Sequence, residues 1–156
     1  EEDPVPTLDS LNTTLLRMNI GLNRMCLNIA NLGKDSIKFS SAGMPPAYYY
    51  SAEKGELEEI LVGALPLGSL PGAMHMEQEI SFKSSGDILV MMSDGLPEAT
   101  NLRGEMLGYE AVYKCMLDNI EQDPQTLLDT LSKLGTDWIK GTQLDDDITL
   151  MIVRKN

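Results

Sequence analysis

The sequence predicts a protein of the α+β class, in which an antiparallel β-sheet or sandwich is flanked by an antiparallel pair of helices. Three observations lead to this prediction. Short runs of alternating apolar residues follow one another between residues 24 and 93, two helical stripes come next, and a further apolar run follows them. With 156 residues and 42% hydrophobic content, the chain can bury a sizeable core, and a single domain is expected.

The first part of the chain predicts one helix and four short strands. Apolar residues at helical spacing indicate a helix from Pro6 to Leu22, whose buried face carries Leu8, Leu11, Leu15, Met18 and Leu22. Strands are expected at 24–30, 37–41, 47–50 and 57–62. The Gly- and Pro-rich segment 63–73 is expected to be a loop, and His75 after it is expected to face solvent.

The most apolar run, Ile88 to Met92, predicts a strand that is buried on both faces. Residues 76–83 alternate and lead into it through a turn, so these two strands are expected to form an antiparallel hairpin. Asp94 and Gly95 follow the buried strand. On its own, an Asp-Gly pair after a strand is more often an ordinary turn than a functional site.

Two helices and a last strand complete the pattern. A helix is predicted from Tyr109 to Ile120, and a second one begins at the Asp123-Pro124 pair, which suits an N-cap and a first turn. Residues 148–153 form the last apolar run. It is preceded by three acids, Asp145, Asp146 and Asp147.

These acids give Asp94 a partner. If residues 148–153 pair antiparallel with Ile88–Met92, the end of one strand meets the start of the other, and the carboxylates converge. Neighbouring carboxylates repel one another unless a cation neutralises them, and Mg²⁺ or Mn²⁺ are the natural occupants of such a site. The alternative is a solvated acidic turn before a strand.

The charge excludes several classes of partner. The 12 Lys and Arg residues face 24 Asp and Glu residues, so the net charge is -12 and neither nucleic acid nor an anionic membrane surface is expected to bind. No apolar run approaches the ~18 residues of a membrane span, and the first residues lack the features of a signal peptide. A cytoplasmic location is therefore expected.

Four motifs in order resemble those of one family. They are SAGMPP at Ser41–Pro46, LPLG at Leu65–Gly68, GDILVMMSDGLPEATNLRGEMLG at Gly86–Gly108 and DDITLMIVR at Asp146–Arg154. Together they look like the motifs of the bacterial metal-dependent serine phosphatases of the stage II sporulation protein E type. These enzymes belong to the PPM class and are related to phosphatase 2C.

The resemblance implies a site and a reaction. Asp94 and Asp146 match metal ligands of the family and would be the catalytic residues of this chain. Gly95 and Asp147 would help to orient them without binding the metal themselves. The family uses two Mn²⁺ or Mg²⁺ ions to activate water, which attacks phosphoserine or phosphothreonine. Its typical substrates are phosphorylated regulatory proteins of the anti-anti-sigma type.

Two family motifs that supply further metal ligands are not found in the sequence, and Met44 replaces a common histidine. The 156 residues are therefore expected to be the C-terminal portion of the phosphatase domain, with a truncated phosphatase 2C-like fold and little activity alone. The alternative is a non-catalytic phosphatase-like binding or regulatory module. Exposed strand edges would favour a homodimer.

Overall fold

The computed structural model describes residues 3–18, 21–141 and 144–156, and within these ranges it contains three helices and seven strands. In chain order they are α1 (Pro4–Met18), β1 (Leu27–Leu32), β2 (Ser36–Ala42), β3 (Ala47–Ser51), β4 (Glu56–Ile60), β5 (Glu77–Ser81), β6 (Ile88–Met92), α2 (Tyr109–Asn119), α3 (Pro124–Trp138) and β7 (Leu150–Arg154). The predicted α+β class is thus confirmed.

The strands form two sheets, one with the order β1-β2-β5 and one with the order β4-β3-β6-β7. The pairs β1/β2, β2/β5, β3/β6 and β6/β7 are antiparallel. The chain divides into two compact units. The first comprises Glu1–Pro46 and Ile60–Lys83, and the second comprises Ala47–Glu59 and Ser84–Asn156.

In the first unit, α1 packs against β1 and β2. Leu8 on this helix is fully buried with Ala42 and Leu67. The buried side chain of Asn12 ties the helix to the loop: Gly68 N–H donates to Asn12 Oδ1 (2.7 Å), and Asn12 Nδ2 donates to the Leu70 carbonyl (3.1 Å). Asn12 therefore satisfies two backbone groups in a segment that is not part of a regular element.

Two expectations for this unit are wrong. Helix α1 begins at Pro4 and Met18 is its last residue, whereas residues 19 and 20 of the predicted helix lie outside the described residues. Leu22 belongs to no helix and is 92% exposed, and Met18 is 62% exposed, so neither is part of a buried face. His75 is buried rather than solvent-facing, and its Nδ1 lies 2.7 Å from Asp9 Oδ1 on α1.

In the second unit, β6 lies between β3 and β7, and its residues pack against α2 and α3 in one cluster. That cluster includes Val90, Leu96, Met116 and Leu131. Helix α3 begins where predicted: Asp123 Oδ1 accepts hydrogen bonds from the N–H groups of the second and third helical residues, and Pro124 occupies the first turn.

The expected hairpin between residues 76–83 and 88–92 is wrong. β5 pairs with β2, with Ile80 opposite Ile37, whereas β6 pairs with β3 and β7. The reason lies in burial. β5 buries only Ile80 and suits the edge of a sheet, while the apolar β6 is stabilised by a neighbour on each side. The turn between them leads from one sheet to the other.

Among the described residues, none of the helices combines the length and the apolar character that crossing a membrane requires.

Asp87 holds the turn that precedes β6. Its side chain is buried, and its two oxygens accept hydrogen bonds from the N–H groups of Ala52 (3.0 Å) and Ser84 (2.9 Å). The main chain of the turn also pairs with Lys155: Gly86 N–H donates to the Lys155 carbonyl (2.9 Å), and Lys155 N–H donates to the Asp87 carbonyl (2.8 Å). The turn is thus bonded to the β3–β4 connection and to the residues after β7.

We expect Asp87→Ala to lower the free energy of unfolding by about 2–4 kcal/mol, because two backbone N–H groups lose their acceptors. Asp87→Asn retains one acceptor oxygen and should cost less. Urea unfolding followed by Trp138 fluorescence measures both changes, with Glu53→Ala, an exposed residue of the β3–β4 turn, as the control. If Asp87→Ala is as stable as that control, the role given to Asp87 is wrong.

Tyr48 places a polar atom in the core of the second unit. The residue is fully buried, and its hydroxyl has no hydrogen-bond partner among the described residues. The pKa of Tyr48 is raised from 10.0 to about 12; burial is the largest cause, and the negative charge of Glu59 is the next. Glu59 therefore lies near the hydroxyl.

This pKa predicts a dependence of stability on pH. Because the pKa of Tyr48 is higher in the folded state than in the unfolded chain, stability should fall as pH rises from about 10 towards 12, where the unfolded state loses the proton first. Tyr48→Phe removes the ionisable hydroxyl and therefore this loss. Urea midpoints at about pH 7 and about pH 11 should therefore differ less in the variant than in the wild type; an equal or larger difference would contradict the prediction.

Candidate functional site

The pairing of β6 with β7 brings two acidic segments together. Met92 at the end of β6 lies opposite Leu150 at the start of β7. Beyond that pair, Ser93 continues the contact: its N–H donates to the Thr149 carbonyl (3.0 Å), and its Oγ accepts from Thr149 N–H (2.9 Å) and donates to the Asp147 carbonyl (3.0 Å). One serine therefore fixes the backbone after β6 to the backbone before β7.

Gly95 allows the two segments to approach still more closely. A Cβ atom at this position would lie 2.9 Å from the carbonyl carbon of Asp147 and 3.4 Å from the carbonyl oxygen of Asp146. Since real Cβ atoms do not approach the backbone to less than about 3 Å, only glycine fits without a shift of residues 146–147. The turn then closes through a hydrogen bond from Glu98 N–H to the Asp94 carbonyl (2.9 Å).

The two segments enclose a cavity of about 190 Å³. It is lined by Asp94, Gly95, Glu98, Ala99, Met106, Asp145 and Asp146. Asp94 and Asp146, the two predicted site residues, therefore lie on one cavity as expected, and both are solvent-exposed. Four carboxylates share a small volume, which is an environment that favours cations.

The three consecutive acids before β7 have different surroundings. Asp145 Oδ2 accepts a hydrogen bond from Thr100 Oγ1 (2.9 Å), and Asp146 Oδ1 accepts one from Asp147 N–H (2.7 Å). Asp147 is not part of the cavity lining. Its carbonyl oxygen instead accepts the hydrogen bond from Ser93 Oγ and lies against Gly95. Gly95 and Asp147 thus support the site through their backbones, while their predicted functional roles stay predictions.

Sequence reasoning missed three residues of this cavity, Glu98, Ala99 and Met106. The signal for Glu98 is its position four residues after Asp94 in a tight turn, which places it one helical turn away. Met106 is 60% exposed and has no comparable local signal, because a loop brings it back to the cavity.

That loop is held in one conformation by Asn101. Asn101 Oδ1 accepts hydrogen bonds from the N–H groups of Arg103 (2.9 Å) and Glu105 (3.1 Å), and its Nδ2 donates to the Glu105 carboxylate (2.9 Å). Trp138 Nε1 on α3 donates to the Glu105 carbonyl (3.1 Å). Met106 therefore lies at the cavity on a loop that these hydrogen bonds fix in place.

The cavity also affects a neighbouring tyrosine. The pKa of Tyr109 is raised above its ordinary value; burial is the largest cause, followed by the negative charges of Glu98 and Asp94. Tyr109 is the first residue of α2. The negative field of the cavity therefore extends to the start of that helix.

The donors present are carboxylate oxygens. Within residues 3–18, 21–141 and 144–156, no group of three or more His, Cys, Asp or Glu side chains is arranged to hold a metal ion. The described part of the site therefore offers the two predicted acids, Asp94 and Asp146, with additional negative charge from Glu98 and Asp145.

The whole chain, residues 1–156, matches the family described as Stage II sporulation protein E (SpoIIE). Two curated proteins of Bacillus subtilis (strain 168) are similar to it. Phosphoserine phosphatase RsbU is 25% identical over 134 residues, which cover 80% of this chain and 36% of RsbU. Stage II sporulation protein E is 28% identical over 129 residues, which cover 82% of this chain and 15% of that protein. The chain thus spans well under half the length of either relative.

A solved structure has a similar fold. The SiaA-PP2C domain of Pseudomonas aeruginosa superposes with a TM-score of 0.81 at 18% identity, covering 99% of this chain and 61% of that one. This likeness confirms the predicted phosphatase 2C-like fold. Together with the family match over the full sequence, it shows that the chain belongs to the stage II sporulation protein E family.

Proposed function

We propose that this chain forms part of a metal-dependent protein phosphatase that hydrolyses phosphoserine or phosphothreonine on a regulatory protein. The observation that supports the proposal is the shared cavity of Asp94 and Asp146, in a chain similar to a protein named as a phosphoserine phosphatase. The activity is proposed for the intact protein. These residues would form the C-terminal portion of its phosphatase domain, and other parts of the domain would supply the remaining metal ligands.

Mn²⁺ or Mg²⁺ is the proposed cofactor, and the donor chemistry fits. Both ions prefer carboxylate oxygens, and Mg²⁺ keeps several water ligands, for which a cavity of about 190 Å³ leaves room. The Asp94 carboxylate makes no hydrogen bond to the described residues, and Asp146 retains Oδ2 after its Oδ1 binds Asp147 N–H. These oxygens would hold the ion.

Two such ions, once bound, would supply a more acidic water molecule and positive charge beside the phosphoryl group. The task of this chain is to fix Asp94 and Asp146, through Ser93 and the close approach at Gly95. Glu98 adds negative charge to the same cavity, so an anionic phosphoryl group enters favourably only together with cations.

The proposed substrate is a phosphorylated protein of the anti-anti-sigma type, and the proposed location is the cytoplasm. Self-association through the edge strands β1, β4, β5 or β7 is a further expectation. A non-catalytic phosphatase-like module is the alternative, and the following experiments separate it from the enzyme.

We expect Asp94→Asn and Asp146→Asn each to weaken Mn²⁺ binding at least tenfold, since each removes a charged ligand. Two carboxylates alone should bind with a dissociation constant on the order of 10⁻⁴ to 10⁻³ M. Calorimetry measures this value in the chain. Paramagnetic broadening of the ¹³C-methyl signal of Met106, which lines the same cavity, reports whether the ion is there.

The same variants in the intact protein should lose at least about a hundredfold in Mn²⁺-dependent hydrolysis of a phosphoserine peptide. Asp118→Asn, which makes the same charge change at an exposed residue outside the cavity lining, is the matched control. Unchanged hydrolysis in both cavity variants would refute the assignment. An intact protein that hydrolyses no phosphopeptide would instead support the non-catalytic module.

Gly95→Ala tests whether the close approach is needed. The added methyl group collides with the Asp147 carbonyl, so we expect weaker Mn²⁺ binding and a loss of stability of about 1–3 kcal/mol. The control is Gly63→Ala, since a Cβ at that glycine meets no atom within 4 Å. Calorimetric Mn²⁺ titration and urea unfolding measure the two effects; wild-type affinity in Gly95→Ala would show that the segments need not touch.

A further inference from the structure

A groove of about 420 Å³ lies between β4 and the start of α2, within the second unit. Its lining consists of Leu57, Glu59, Tyr109, Glu110 and Tyr113. Two aromatic rings and two carboxylates thus surround it, and no basic side chain is among its lining residues. This combination is complementary to a cation, because ring faces and carboxylates both attract positive charge.

The groove is built by two regular elements. Glu59 is exposed on β4, whereas Leu57 on the same strand is buried. Tyr109 and Tyr113 are four residues apart on α2 and therefore lie on one face of the helix. Tyr113 Oη donates a hydrogen bond to the Leu57 carbonyl (2.9 Å), which fixes one ring against the strand.

A buried polar atom lies against the same residues. The Tyr48 ring packs on the Tyr113 ring with 6.0 Å between the centroids, and its hydroxyl has no hydrogen-bond partner within the described residues. Three of the five residues of the groove, Glu59, Tyr109 and Tyr113, act electrostatically on this hydroxyl and raise its pKa. Tyr48 therefore packs against the groove through the Tyr113 ring and is not one of the residues that line it.

The groove adjoins the candidate active site through Tyr109. The preceding segment is fixed to the Asp94 turn, because Leu107 N–H donates to the Ala99 carbonyl (2.9 Å) and Gly108 N–H donates to the Pro97 carbonyl (2.7 Å). The Tyr109 hydroxyl lies within the field of Asp94 and Glu98, which are cavity residues. A peptide bound at the cavity can therefore reach the groove with a neighbouring side chain.

We propose that this groove binds an arginine side chain of the phosphoprotein substrate, close in sequence to its phosphorylated residue. This inference rests on the proposed phosphatase function and adds a specificity site to it. A planar guanidinium can stack on a tyrosine ring and donate to Glu59 and Glu110 at the same time. The net charge of -12 attracts such a basic segment at long range.

The test compares phosphoserine peptides that carry either arginine or its uncharged isostere citrulline, at each position up to about five residues from the phosphoserine. With the intact protein and Mn²⁺, arginine at the matching position should lower KM about fivefold, while kcat is unchanged. In Glu59→Gln/Glu110→Gln this preference should disappear. Glu53→Gln, an exposed glutamate outside the groove lining, should retain it.

Equal KM values for the arginine and citrulline peptides at every position would overturn the inference while leaving the phosphatase proposal intact. If no phosphopeptide is hydrolysed, the phosphatase proposal fails, and the groove is then tested by binding alone. Fluorescence polarisation of the labelled arginine peptide should show affinity about fivefold higher than that of the citrulline peptide. Equal affinities would overturn the groove as an arginine site. Circular dichroism checks that the double variant is folded.

Discussion

The backbone contact between Gly95 and the Asp146–Asp147 segment is the constraint on which the candidate site depends. The antiparallel register of β6 and β7 aligns the end of one strand with the start of the other, and the Ser93 hydroxyl bonds to both Asp147 and Thr149. Acids that are far apart in sequence therefore meet at one cavity. Their mutual repulsion opposes this arrangement, so the strand pairing and buried core must stabilise it.

The sequence predicts those parts of the fold in which local pattern decides the structure. Ile88–Met92 is apolar at every position and becomes a strand with a neighbour on each side. For β5 the alternating pattern predicted the strand but not its neighbour, because one face of apolar residues fits several partners. The burial of His75 could not be predicted, since its partner Asp9 lies on a helix far away in the chain.

The same distinction holds for the site. The position of Asp94 and Asp146 follows from acids at the ends of two apolar strands, which is visible in the sequence. The sequence alone does not distinguish Asp146 from its neighbours, and only the family resemblance selects it. In the structure the neighbours of Asp146 differ in their hydrogen bonds. The Asp145 carboxylate accepts one from Thr100, and the backbone carbonyl of Asp147 accepts one from Ser93. Met106 reaches the cavity on a loop that is fixed by hydrogen bonds. A loop has no periodic sequence pattern, so this position could not be predicted.

Electrostatics links the cavity to the groove beside it. Both are lined by carboxylates, but they differ in what neutralises them: Asp94 and Asp146 offer oxygens to a divalent ion, whereas Glu59 and Glu110 stand beside tyrosine rings that favour a larger, weakly hydrated cation. In the proposed function, a phosphoryl group would be attracted to the cavity only once metal is bound, and a guanidinium would be held better by the groove. Because the short segment from Asp94 to Tyr109 lines both, a substrate carrying both groups would bind in one orientation.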